Sequence, residues 1–135
     1  MAERADPVFI ERAYAETLAL MVEARDYFTH ENPVRRRGLS REDGLRASCE
    51  ALRVTSRLTQ VMAWLMMQRA FRAGEVTEDE ALPENDALDR WEVCLDEWDG
   101  DAGALPPGLR SLLARSRALY QRIARLDGLA RGRMH

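Results

Sequence analysis

The chain has 135 residues, 46% hydrophobic and 32% charged, with a formal net charge of −3. That length suits one domain with a modest core. The slight negative balance excludes a whole-chain pull toward nucleic acid, and no uninterrupted apolar run reaches the ~18 residues of a membrane span. Leu, Ala, Glu and Arg dominate, a composition that favours helices. All twenty cations are arginine, as a GC-rich coding bias would give. Cys49 and Cys94 stand far apart in no ligand spacing, which predicts reduced thiols in a cytoplasmic protein. The N-terminus has no apolar run behind basic residues, so no signal peptide is read there.

The first predicted helix opens with Asp6 as N-cap and Pro7 at the first helical position, where its missing N–H costs nothing. Ile10, Tyr14, Leu18, Met21, Val22 and Phe28 recur at helical spacing as its apolar stripe. Asn32-Pro33 stops it near His30. A flexible loop over 31–39 follows, carrying Arg35, Arg36 and Arg37 and closed by Gly38. The second helix opens at Ser40, with Asp43 three residues on as a weaker form of the capping box. It runs to Ala73, with Gly74 suited to its end. Thirty-three helical residues would span roughly 50 Å, long for one small domain. Within it, residues 61–67 read Val-Met-Ala-Trp-Leu-Met-Met. That run is apolar around the whole girth and calls for neighbours on several sides.

Residues 75–105 read as a second flexible segment. Thr77 can cap a turn through Glu80, and Pro83 interrupts. Asp86 can cap a short helix over 86–98 bearing Leu88, Trp91, Leu95 and Trp98 on one face. The last helix starts at Pro106-Pro107. Its core stripe is Leu109, Leu112, Leu113, Leu119, Tyr120, Ile123 and Leu126, and its arginines fall mostly outside that stripe. Gly128 is expected to end the order, leaving 130–135 as a loose tail. The prediction is an all-α single domain over 1–135, with no repeat and no strand signal.

Charge is segregated along the chain. Residues 1–74 carry a net +2, residues 75–101 a net −11 and residues 102–135 a net +6. The last two segments are electrostatic complements; a solvated acidic loop beside a helix with a basic outer face is the simpler reading.

No catalytic constellation is visible. His30 and His135 lie far apart and no Cys/His cluster has zinc-like spacing. The Glu78-Asp79-Glu80 patch lacks the glycine and alternating oxygens of a calcium loop. Cys49 falls in an apolar register and reads as packing. No phosphate loop or dinucleotide fingerprint occurs, so no enzyme activity, metal or cofactor is predicted. The Arg35–Arg37 loop reads either as a phosphate grip or as a solvated loop. No helix has the form of a DNA-reading helix.

The second helix carries the most informative pattern. Arg53, Arg57, Gln60, Trp64, Gln68 and Phe71 line one face. Guanidinium, amide and indole together suit a protein interface. The same stripe also fits a core helix whose Trp64 is buried and whose arginine stems snorkel. The encircling run at 61–67 favours a second buried face, hence a homodimer. Trp91 and Trp98 either pin the acidic segment to the bundle or anchor a short amphipathic helix on a partner.

The stretch from Ala51 to Ala70, followed by Gly74-Glu75-Val76-Thr77, resembles the signature of the RcdA family, the regulators of CtrA degradation in alphaproteobacteria. Arg53, Thr55, Arg57, Leu58, Gln60, Trp64, Leu65, Gln68, Arg69, Gly74 and Glu75 carry the resemblance. Leu105-Pro106, Leu109, Ser116, Leu119, Tyr120 and Leu126-Asp127 are similar to the family as well, as is Val22 through Tyr27. The resemblance implies a three-helix bundle that forms a homodimer. It implies a non-enzymatic adaptor that helps a ClpXP protease select substrates in the cell cycle, with protein cargo as partner. The stretch between Leu82 and Gly103 departs from the family pattern. The alternatives are a helical DNA-associated regulatory dimer, using Arg35–Arg37 and the arginines of the last helix, or a protein-interaction module of other purpose.

Overall fold

The structure is a computed structural model, which describes residues 7–31, 40–82 and 105–132. Four helices occur among them: α1 (Pro7–His30), α2 (Arg41–Arg72), the single turn α3 (Glu78–Ala81) and α4 (Pro107–Ala130). The predicted all-α fold is what forms. α2 packs against both α1 and α4, while α1 and α4 touch each other less. At ~1.5 Å per residue α2 is a rod of about 48 Å.

Local chemistry sets the helix ends. Ser40 caps α2, its hydroxyl accepting from the Asp43 N–H at 3.0 Å. At the other end Gly74 takes φ +75°, a conformation that costs a side-chain-bearing residue steric strain and glycine none. Thr77 and Glu80 form a reciprocal capping box at the start of α3, as the Thr77–Glu80 spacing predicts. Pro107 occupies the first turn of α4. The predicted Asp6 cap lies outside the described residues.

The core is built from Val54, Leu58, Val61, Trp64 and Leu65 of α2 against Leu109, Leu112, Leu119, Tyr120 and Ile123 of α4. Each such side chain removed from water contributes ~1.5–3 kcal/mol. The α4 stripe is close to prediction, with Leu113 and Leu126 only half-buried.

Three expectations need correction. On α1 the buried line is Ile10, Ala13, Thr17, Leu20 and Ala24, while Leu18 and Val22 are exposed. The Thr17 hydroxyl donates back to the Ala13 carbonyl at 2.6 Å, which satisfies it in the dry interior. Gly128 does not end α4. It is buried inside the helix, which continues to Ala130 and stops at Gly132, φ +73°. Cys49 is exposed rather than packed.

Candidate interaction surface

The mixed stripe of α2 turns inward. Arg57 is 2% exposed. Its Nη1 donates to the Leu113 carbonyl at 3.0 Å and to Ser116 Oγ at 3.3 Å, and Ser116 Oγ donates to the same carbonyl at 3.1 Å. Trp64 is 1% exposed, and its Nε1–H donates to Asp127 Oδ1 at 2.8 Å. Arg131 grips the same carboxylate through Nε, at 2.8 Å to Oδ1 and 3.0 Å to Oδ2. Gln68 donates from Nε2 to the Ala81 carbonyl at 3.1 Å, holding α3 against α2. Arg53 meets the buried Glu50 one turn away, Nε to Oε2 at 3.3 Å. Gln60 and Phe71 are half-buried. The expectation that this face meets a partner is therefore corrected for Arg57 and Trp64. Their planar donors find acceptors on α4 of the same chain, and neither has surface left for a second molecule.

Ion pairs lace the outside of the bundle. Arg115 takes Glu23 bidentately, Nη1 to Oε2 at 2.7 Å and Nη2 to Oε1 at 2.6 Å. The hydrogen bonds from Arg115 hold the Glu23 carboxyl below its usual range, and the same bonds raise the Arg115 guanidinium. Arg122 reaches Glu16 at 2.7 Å. Arg69 donates to Glu11 at 3.0 Å and lies 4.1 Å over the Tyr14 ring. Two arginines of the basic helix are thus engaged with α1, which weakens the reading of that helix as a phosphate-gripping face.

The opposite flank of α2 is the open one. Leu45 and Leu52 are each 67% exposed and Met66 is 56% exposed, with Cys49, Thr59 and Ala63 also facing out between them. Met62 and Met67 are half-buried. Within 61–67 the chain itself buries Val61, Trp64 and Leu65 fully and Met62 and Met67 in part, leaving Ala63 and Met66 exposed.

Arg35, Arg36, Arg37, Trp91 and Trp98, together with the predicted helix over 86–98, lie outside the described residues. His30 is on the surface, its Nδ1 2.8 Å from the Asp26 carbonyl. No cluster of metal-ligating side chains occurs among the described residues. A cleft of about 30 Å³ lies between Ile10, Trp64, Phe71 and Leu82, room for a water or two and not for a substrate. No described helix is long and apolar enough to cross a membrane.

Ser116, Glu50 and Asp127 escaped the sequence reading as polar core residues. Asp127 had a signal: it is the lone acid among seven arginines after residue 101, and a buried tryptophan N–H needs an acceptor. A family model described as "Protein of unknown function (DUF1465)" matches residues 1–135. The chain belongs to the DUF1465 family. That family is the one to which RcdA belongs. Among solved structures the chain matches the crystal structure of RcdA from Caulobacter crescentus CB15. Identity is 32%, TM-score 0.71, and the match covers 93% of this chain and 91% of that one. No curated protein matches. The predicted resemblance to the RcdA family is thereby established along nearly the whole chain.

Proposed function

We propose that this DUF1465 chain is a non-enzymatic, dimeric adaptor that acts in the cytoplasm and helps deliver protein substrates to a ClpXP-type protease in cell-cycle control. The observation that supports this reading most is the end-to-end match to RcdA at 32% identity. Such an adaptor works through effective concentration: two weak contacts on one rigid body hold cargo near the unfolding pore. The described bundle suits that task, because buried polar joints and ion pairs lock the three long helices into one body. The docking elements in this reading are Arg35–Arg37 and the tryptophans Trp91 and Trp98, which would present basic and aromatic contacts to protein partners.

The test is CtrA turnover in the native cell. Deleting the chain is expected to lengthen the CtrA half-life during its degradation window, and plasmid-borne wild type to restore it. Trp91→Ala/Trp98→Ala with a normal half-life would remove those residues from docking. An unchanged half-life on deletion would overturn the adaptor reading for CtrA.

A further inference from the structure

α3 is too short to hold itself. It is a single turn of four residues, and starting a helix in water is unfavourable. The turn persists through its attachments. The Ala81 N–H donates to the Thr77 carbonyl at 2.9 Å, and the Leu82 N–H to the Glu78 carbonyl at 2.8 Å. The capping box of Thr77 and Glu80 closes its start. Gln68 of α2 ties down its end through the Ala81 carbonyl. Ala81, 3% exposed, is the residue it buries.

The seat of this turn is shared with the end of α4. Ala81 and Leu82 form one wall of the small cleft whose other walls include Ile10, Trp64, Phe71 and Ala130. Ala130 is buried. Beside it an open hollow is lined by Glu78, Asp79, Leu82 and Arg131. Arg131 grips Asp127, and Asp127 accepts from Trp64.

We infer that α3 is a removable plug at this end of the bundle. It docks and lifts as a unit without global unfolding, and its lifting loosens the last turn of α4, residues 127–131. The device stands apart from the adaptor reading and does not depend on it.

The small number of anchors supports the lifting. A segment with few buried apolar contacts opens at a lower free energy than the core. A pivot is present as well. The chain enters α3 from Gly74, at φ +75°, with open space where a Cβ would stand. The coupling follows from the shared seat. The last turn of α4 contains Gly128, and a glycine inside a helix weakens it locally. That turn is held by the Trp64–Asp127–Arg131 joint and by the cover that α3 helps give to Ala130, so lifting the plug removes part of its support. α3 leads directly into residues 83–104, so whatever engages that acidic stretch acts first on the plug.

Native-state hydrogen exchange on the full chain tests both halves. The probes are Ala81 and Leu82 on the plug, and Arg131 and Gly132 at the end of α4. The last two N–H groups donate to the Asp127 and Leu129 carbonyls, each at 3.0 Å. In wild type, Ala81 and Leu82 are expected to show protection, with a weaker urea dependence than Val61 and Ile123, because lifting exposes less surface than unfolding. Thr77 lines neither the cleft nor the hollow, so Thr77→Ala weakens the plug at its far end. Exchange at Ala81 and Leu82 is expected to rise about fivefold, and exchange at Arg131 and Gly132 to rise with it, while Val61 and Ile123 keep their rates. Coupling is reciprocal, so Arg131→Gln is expected to quicken Ala81 and Leu82. Ala81 and Leu82 exchanging only with the core, or without any protection, would overturn the plug. Thr77→Ala quickening Ala81 and Leu82 while Arg131 and Gly132 hold steady would overturn the coupling.

Discussion

Asp127→Ala is the most revealing single change to the bundle. The Asp127 carboxylate is 3% exposed and accepts from Trp64 Nε1 at 2.8 Å and Arg131 Nε at 2.8 Å. Its removal leaves a buried indole N–H unsatisfied, which costs ~1–3 kcal/mol. It also leaves the Arg131 guanidinium, whose side chain is 8% exposed, without its carboxylate. Breaking a buried pair from one side costs ~3–5 kcal/mol. The two losses share one cause and overlap, so the larger sets the scale. Against a total stability of ~5–15 kcal/mol for a domain, that is a large fraction. With a urea slope of ~1–3 kcal/mol per molar, the midpoint should fall by about 2 M, read by helical circular dichroism. Asp127→Asn keeps an acceptor for Trp64 and drops the charge, so it should fall between wild type and Ala. A double-mutant cycle with Trp64→Phe should show a coupling of ~1 kcal/mol or more. A midpoint for Asp127→Ala within ~0.3 M of wild type, under ~1 kcal/mol at that slope, would refute the claim that this carboxylate joins α2 to α4.

Other expectations follow from particular contacts. Gly108→Ala puts a Cβ into the Tyr27 ring and should cost ~1–3 kcal/mol by overpacking; Tyr27→Leu in the same chain should recover part of it, as measured by thermal melting. Glu23 has a lowered carboxyl pKa through Arg115, so its contribution is present above the unfolded carboxylate pKa and is lost as pH falls through the lower folded value. Both partners are about half exposed, which limits the effect to ~1 kcal/mol at most. Glu23→Gln should therefore flatten the acid side of the stability curve slightly and leave neutral stability within that margin. Thr77→Ala removes the capping box of α3, worth ~0.5–2 kcal/mol locally. Hydrogen exchange should quicken at residues 80–82 and hold steady at the centre of α2.

Much of the architecture was written in local signals. Pro7, Ser40 with Asp43, Gly74, Thr77 with Glu80 and Pro107 each act on their own turn, so their effect is legible without knowing the fold. The apolar stripe of α4 was legible too, because large aliphatics there meet no competing requirement. What escaped was decided across the bundle. Leu18 and Val22 face water because the line turned to the bundle is Ile10, Ala13, Thr17, Leu20 and Ala24, and hydrophobicity alone ranks leucine above alanine. Arg57 is buried because a carbonyl at Leu113, on another helix, accepts from it; no spacing within α2 announces that. The mixed stripe of α2 is unusual in sequence, and at Arg57 and Trp64 its neighbour is α4 of the same chain. The need of its donors for acceptors was legible, whereas the helix that supplies them was not. With Arg57 and Trp64 filled from within, the large apolar side chains left exposed among the described residues are Leu45, Leu52 and Met66 of α2 and Val8, Phe9, Leu18 and Val22 of α1.

Sedimentation equilibrium on wild type and Leu52→Arg addresses the two-faced character of α2 most directly. Leu52 is 67% exposed and outside the core, so the arginine should leave helicity and melting unchanged. Wild type is expected to move toward the mass of two chains across the micromolar range, and Leu52→Arg to remain at the mass of one. Wild type at the single-chain mass throughout, or Leu52→Arg dimerising as wild type does, would contradict the account.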